Sequence, residues 1–140
     1  MRMAGLRDRT KQFALRIIRL SAALPKSNEA QVIGKQLLRS GTSVAANFRE
    51  ASRARSDAEF IAKLGIVEQE LDESLLWMEL LVESEIVALA RMQELMTEAD
   101  ELIRIVVKGN SLNKTECEVR RSSAFRFPLS AFDNLTYCFT

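Results

Sequence analysis

Along the first hundred positions, apolar residues recur at steps of three and four, the spacing of one face of an α-helix. Phe13, Ile17, Leu20 and Leu24 form the first such stripe and predict a helix from about Asp8 to Ala23. Pro25 closes it, because proline lacks the next helical donor and pushes the residue before it out of the helical region. Ser27 or Asn28 can cap a second helix reaching to about Ala54. Its stripe is Val32, Gln36 or Leu37, Ser40 or Gly41, Val44 and Phe48. The middle of that stretch, Ser40 to Ala46, is built from small and β-branched residues that alone would suit a loop. The stripe nevertheless keeps its phase from Val32 through Phe48. That favours one continuous helix, with a face small enough for a neighbouring backbone to come close.

Ser56, followed three residues later by Glu59, has the form of a capping box: the hydroxyl accepts from the N3 amide while the carboxylate reaches back. The series that follows is the longest in the chain: Phe60, Leu64, Val67, Leu71, Leu75 (or Ser74), Met78 and Leu81. It implies a helix of roughly 27 residues, near 40 Å long at about 1.5 Å per residue. The turn before it is so short that helices two and three must pack antiparallel. A fourth helix begins near Glu85 or Ala88 and ends before Gly109-Asn110, a helix-stop pair. Its stripe is Leu89, Met92, Leu95 or Met96, Ala99, Leu102 or Ile103, and Val106. Four amphipathic helices on short loops define an all-α, antiparallel up-down-up-down four-helix bundle over residues 1–112. Residues 113–140 show no helical period and hold four of the seven phenylalanines. They read as a C-terminal tail, either disordered or an extended arm that docks on a neighbouring surface.

Composition narrows the function more than the fold. One domain is all that 140 residues allow. The net charge of +1 conceals a polarity: residues 1–63 carry thirteen basic against five acidic side chains, and residues 64–112 three against eleven. Two readings follow. Basic and acidic helices attract one another within the bundle or across a subunit contact, or a basic face is left free for nucleic acid. There is no histidine, and Cys117 and Cys138 form no CxxC or Cys/His cluster. Histidine-based catalysis is therefore excluded and a structural zinc site is not expected. The N-terminus lacks the apolar core of a secretory signal, and no apolar run approaches the roughly 20 residues of a membrane span. The expected setting is the cytoplasm, with no membrane partner.

No phosphate-binding glycine loop occurs, and the hydroxyls of Ser40, Thr42 and Ser43 have no histidine to activate them. The carboxylates of helix three, Glu68 to Glu79, lack the Glu-x-x-His partners of a ferritin-like di-metal site and read as an ion-paired or solvated helix face. No catalytic residue, metal or cofactor is expected. The polar residues that do cluster are structural candidates. Asn47, Glu50, Glu59, Glu70 and Glu73, with Arg39, Arg49, Arg53, Arg55 and Lys63, are expected to form a network that fixes the register of helices two and three. Trp77 is either a core residue against helix four or an anchor for a partner. Around it, Leu75 to Val82 are apolar on nearly every side, which calls for cover beyond a single bundle and makes Leu76, Trp77 and Leu80 the candidate contact between copies.

Three stretches of helices two and three are specific enough to point to a family. They are QLLRSGTSVAANFREA from Gln36 to Ala51, RARSDAEF from Arg53 to Phe60, and KLGIV from Lys63 to Val67. With ELDES (Glu70 to Ser74) and WMELL (Trp77 to Leu81), they resemble the bacterial 23S rRNA-intervening-sequence proteins over roughly residues 8–112. The resemblance implies a left-handed four-helix bundle in which the SGTSV segment is helical, assembled as a ring-like homopentamer. It also implies kinship with the accessory variability determinant proteins of diversity-generating retroelements, which bind nucleic acid through a strongly basic barrel. The sequence departs from that branch, since residues 1–112 balance sixteen basic against sixteen acidic side chains. No catalytic residue is carried over. The expected function is a non-catalytic, homo-oligomeric scaffold or adaptor. RNA or DNA would be met by Arg39, Arg49, Arg53, Arg55 and Lys63, with Lys11, Arg16 and Arg19 further out. The alternative is a protein-interaction module with no nucleic-acid role.

Overall fold

The computed structural model describes residues 3–124, and among these there are four helices and no strand. They are α1 (Met3–Ala23), α2 (Asn28–Ala51), α3 (Asp57–Glu83) and α4 (Leu89–Ala124). The connections are short, so consecutive helices run antiparallel. α2 packs most closely on α1 and α3, and α4 lies against α3; α1 and α4 meet more sparsely.

The starts of α2 and α3 and the end of α3 have local causes. The Ser27 hydroxyl accepts from the Ala30 amide, and the Ser56 hydroxyl from the Glu59 amide. The Glu59 carboxylate reaches back to accept from the Arg55 amide at 2.9 Å, one residue beyond the cap itself. At the end of α3 the amides of Glu85 and Ile86 donate to Val82 O and Leu81 O. This paired closure normally places glycine in the left-handed region. Here Glu85 occupies that position with φ of 60°, a conformation that costs a side-chain-bearing residue about 1 kcal/mol. Glu85→Gly is therefore expected to raise stability by about 1 kcal/mol, seen as a higher urea midpoint; an unchanged or lower midpoint would contradict this origin of strain. The same kink explains why α4 begins at Leu89 and not at Glu85.

Three boundaries differ from the sequence reading: α2 ends at Ala51, three residues before Ala54, and the other two lie at the start of α1 and the end of α4. α1 starts at Met3, five residues before Asp8. α4 does not stop at Gly109-Asn110 but passes through both to Ala124, so the first twelve residues of the expected non-helical tail are helical. A glycine stops a helix by taking a positive φ, and no described glycine does so. Gly109 and Asn110 are both buried, and Asn113 Nδ2 donates to Gly109 O at 2.6 Å, so the pair is held within the helix. Residues 125–140, the rest of that tail, lie outside the described residues.

The core is one cluster. Phe13, Ile17, Leu37, Val44, Phe48, Leu64, Val67, Leu71, Met78, Leu81, Met92 and Leu102 are its largest fully buried members. The stripe of α2 is corrected at its start: Val32 is 54% exposed and Gln36 is exposed, while Ala30, Gly34 and Leu37 face inward. α1 and α2 approach closely where glycines leave room. Ile17 fills the space at Gly41 and Leu24 the space at Gly34, and Ser21 Oγ donates to Gly34 O at 3.1 Å. The small SGTSV segment is thus helical because a neighbouring helix occupies the volume its side chains lack.

Candidate functional site

The polar residues singled out from sequence lie mostly along the seam of α2 and α3, where antiparallel packing sets Arg39 opposite Glu70 and Glu73. Arg39 Nη1 donates to both Glu70 carboxylate oxygens at 3.4 Å, and Nη2 donates to Glu73 Oε1. Trp77 Nε1 donates to the same Glu73 oxygen at 3.2 Å. Beneath them two fully buried hydroxyls, Ser40 and Ser74, face each other at 2.9 Å. Ser74 Oγ also bonds Glu70 O at 2.7 Å and Ser40 Oγ bonds Leu37 O at 3.2 Å, so neither is left unsatisfied. The stripe spacing offers Ser40 only as an alternative to Gly41, and Ser74 only as an alternative to Leu75. The available signal was a polar residue at a core position of each of two antiparallel helices.

Nearer the α2–α3 turn, Lys63 Nζ meets Glu50 at 2.5 Å. Glu59 is spent on capping α3, and Asn47 Nδ2 donates within its own helix to Ser43 O at 2.9 Å. The expected network is therefore not one connected set. Arg39–Glu70–Glu73–Trp77 and Glu50–Lys63 are separate units that each tie α2 to α3, while Asn47 and Glu59 act locally.

Glu73 has its pKa lowered, first by the hydrogen bond from Arg39 and then by that from Trp77. A depressed carboxylate contributes stability above its unfolded pKa, and that contribution is lost as pH falls through the folded value. Trp77 is the single tryptophan, so its fluorescence reports this titration. In Arg39→Ala the acid transition of the fluorescence should move to higher pH, toward the ordinary carboxylate range. A transition that stays in place would mean Arg39 does not hold Glu73 charged.

Pairing divides the basic residues. Arg39 and Lys63 are neutralised by glutamates, and Arg16 Nη2 lies 3.6 Å from Glu94. Arg9, on the α1–α4 seam, donates to Glu98 at 3.0 and 2.8 Å and to Glu101 at 2.9 Å. Arg49, Arg53 and Arg55 are exposed and form no ion pair among the described residues, and the same holds for Lys11 and Arg19. Arg49 and Arg53 flank a shallow depression on α2 floored by Ala45 and Ala46.

On the outer face of α3, Leu76 is 48% and Leu80 37% exposed. Trp77 is half-buried: its ring packs against the core cluster while its indole nitrogen binds Glu73 on the surface. Among the described residues no group of three acidic or thiol side chains is placed to hold a metal ion, and no helix is long and apolar enough to cross a membrane.

An antiparallel four-helix bundle with a small-residue second helix, a buried serine pair and an ion-paired α2–α3 seam defines a particular class of helical protein. The chain belongs to the 23S rRNA-intervening sequence protein family, whose model matches residues 6–108. Among solved structures it is similar to a protein of unknown function from the S23 ribosomal protein family of Bacteroides thetaiotaomicron VPI-5482. The two share 34% identity with a TM-score of 0.72, over 79% of this chain and 99% of that one. No curated protein matches the chain. The matched segment ends just before Gly109-Asn110, so the last turns of α4 extend beyond it.

Proposed function

We propose that the protein is a non-catalytic helical scaffold that assembles with copies of itself through the outer face of α3. The observation that supports this is the exposure of Leu76 and Leu80 on a helix whose inner face is already filled by Phe60, Leu64, Val67, Leu71, Met78 and Leu81. Two neighbouring leucines in water on a rigid helix are costly unless another surface covers them. Trp77, anchored by Glu73 beside them, supplies a large and already ordered ring at the edge of that face. Five is the subunit number that the family resemblance implies.

The test is light scattering after size exclusion on the wild type and on L76E/L80E. The scaffold reading expects an oligomer that survives high salt and collapses to monomer in the variant. A wild-type monomer at all concentrations would remove it.

A second reading rests on the arginines that pairing leaves free. Arg49, Arg53 and Arg55 lie at one end of the bundle, around the α2–α3 turn, where they offer a short phosphate-contacting edge for RNA or DNA. Such binding would weaken steeply with salt, and R49A/R53A/R55A would reduce the slope by up to about three phosphate contacts. Co-purification of nucleic acid unaffected by that triple change would discard it.

A further inference from the structure

The charges left over after pairing are sorted by face. On α1, on α2 and in the turn after it, Lys11, Arg19, Lys35, Arg49 and Arg53 are exposed and make no ion pair among the described residues. The acids of these two helices are Asp8, Glu29 and Glu50, the last already bound to Lys63. On α3 the balance is reversed. Asp72 and Glu83 are exposed, Glu68 and Glu79 half-buried, and none of the four is ion-paired among the described residues.

Each side also leaves apolar surface in water, and the two shapes differ. Between α1 and α2 runs a groove with Ile18 and Leu38 at its lips, 44% and 36% exposed, Gly34 in its lining and Lys35 on its rim. Gly34 adds no side chain to that lining and sits against Leu24, whose Cδ1 lies 2.6 Å from where a Cβ would stand. On α3 the feature is a ridge. Asp72, Leu76, Leu80 and Glu83 follow one another at steps of four, four and three on one side of the helix, so the two leucines are bracketed by carboxylates.

We infer that the α3 ridge of one copy seats in the α1–α2 groove of a second copy, making the contact between copies head-to-tail. This rests on the self-assembly proposed above and adds which face receives the ridge. Leucines meet Ile18 and Leu38, and the bracketing carboxylates meet Lys35 and Arg19, the unpaired cations beside those two residues, so apolar and charged parts match together. A two-fold contact of ridge on ridge would instead bring Asp72 and Glu83 of both copies side by side, like charge on like charge. Because groove and ridge are different surfaces, every copy offers one of each, and the repeated contact closes a ring or grows as a filament.

Two variants with exposed substitutions test this: K35E/L38E to block the groove and L76E/L80E to block the ridge, so that the two blocked faces repel one another, each checked for helix content by circular dichroism. Light scattering should find each variant monomeric alone. Mixed one to one, they should form a species of twice the chain mass that grows no further, because only one intact groove and one intact ridge remain to meet. Formation of that heterodimer also shows both variants folded. If K35E/L38E assembles like the wild type, or if the mixture stays monomeric, the groove is not the partner of the ridge, although self-assembly itself stands. A wild type that is monomeric overturns both readings.

Discussion

Gly41→Leu is expected to destabilise the protein by about 3 kcal/mol, near the upper end of the usual cost of overpacking a core. A Cβ built on Gly41 would overlap Ile17 Cδ1 outright and stand 3.0 Å from Ile17 Cγ2 and 3.2 Å from Ile17 Cβ. The last of these is one bond from the α1 backbone, so Ile17 cannot simply swing aside. Ile17 is itself fully buried. The two helices would have to separate, opening the seam that also holds Ser21 on Gly34. Leucine recovers about 0.8 kcal/mol through better helix propensity, which the overlap must exceed. Two other glycines calibrate the result. Gly34→Ala meets only the end of the Leu24 side chain at 2.6 Å, a group that can rotate, and should be nearly neutral. Gly65→Ala meets nothing within 4 Å and should stabilise α3 by about 1 kcal/mol. Urea unfolding of the three variants decides the matter. The close-approach account of Gly41 fails if Gly41→Leu unfolds at the same midpoint as Gly65→Ala.

Phe48→Ala should cost about 3–5 kcal/mol, the range for deleting a fully enclosed phenylalanine. Phe48 is 0% exposed, in one cluster with Phe13, Leu64 and Val67, and its ring is among the largest side chains in the core. Val32→Ala, four turns earlier on the same helix, should change stability by less than about 0.5 kcal/mol because Val32 is 54% exposed. The pair is informative because hydrophobic spacing alone puts both residues on one stripe. A comparable loss for the two would mean that the amino-terminal part of α2 is buried against something, such as another copy, under the conditions of measurement.

That stripe shows why periodicity reads some positions and misreads others. From Leu37 to Phe48 the apolar and small residues repeat in phase with the burial, and so do Phe60 to Leu81 on α3. At the start of α2, Val32 and Gln36 keep formal phase with Val44. There the inward positions are Ala30 and Gly34, residues too small to register as a hydrophobic signal. They are small because α1 comes close, a fact about α1 that no window on α2 contains. Gly109-Asn110 fails for a related reason. Read locally it is a stop, but both residues are buried, and tertiary packing holds the helix through them.

By itself the sequence determined the number and order of helices, the Ser56 start of α3, a start of α2 at Ser27 or Asn28, the antiparallel return at the α2–α3 turn, the family, and the absence of histidine chemistry. These follow from spacing, capping and composition, which are properties of neighbouring residues along one chain. Tertiary structure decided which charges are used up. Arg39 and Lys63 look no different in sequence from Arg49 and Arg53, yet the former face glutamates across the α2–α3 seam and the latter face water. It also decided that Ser40 and Ser74 meet, that Gly34 lines a groove between α1 and α2, and that Leu76 and Leu80 are left uncovered on α3. Each of these depends on what a second helix places opposite, and an ion pair or a groove belongs to two segments at once.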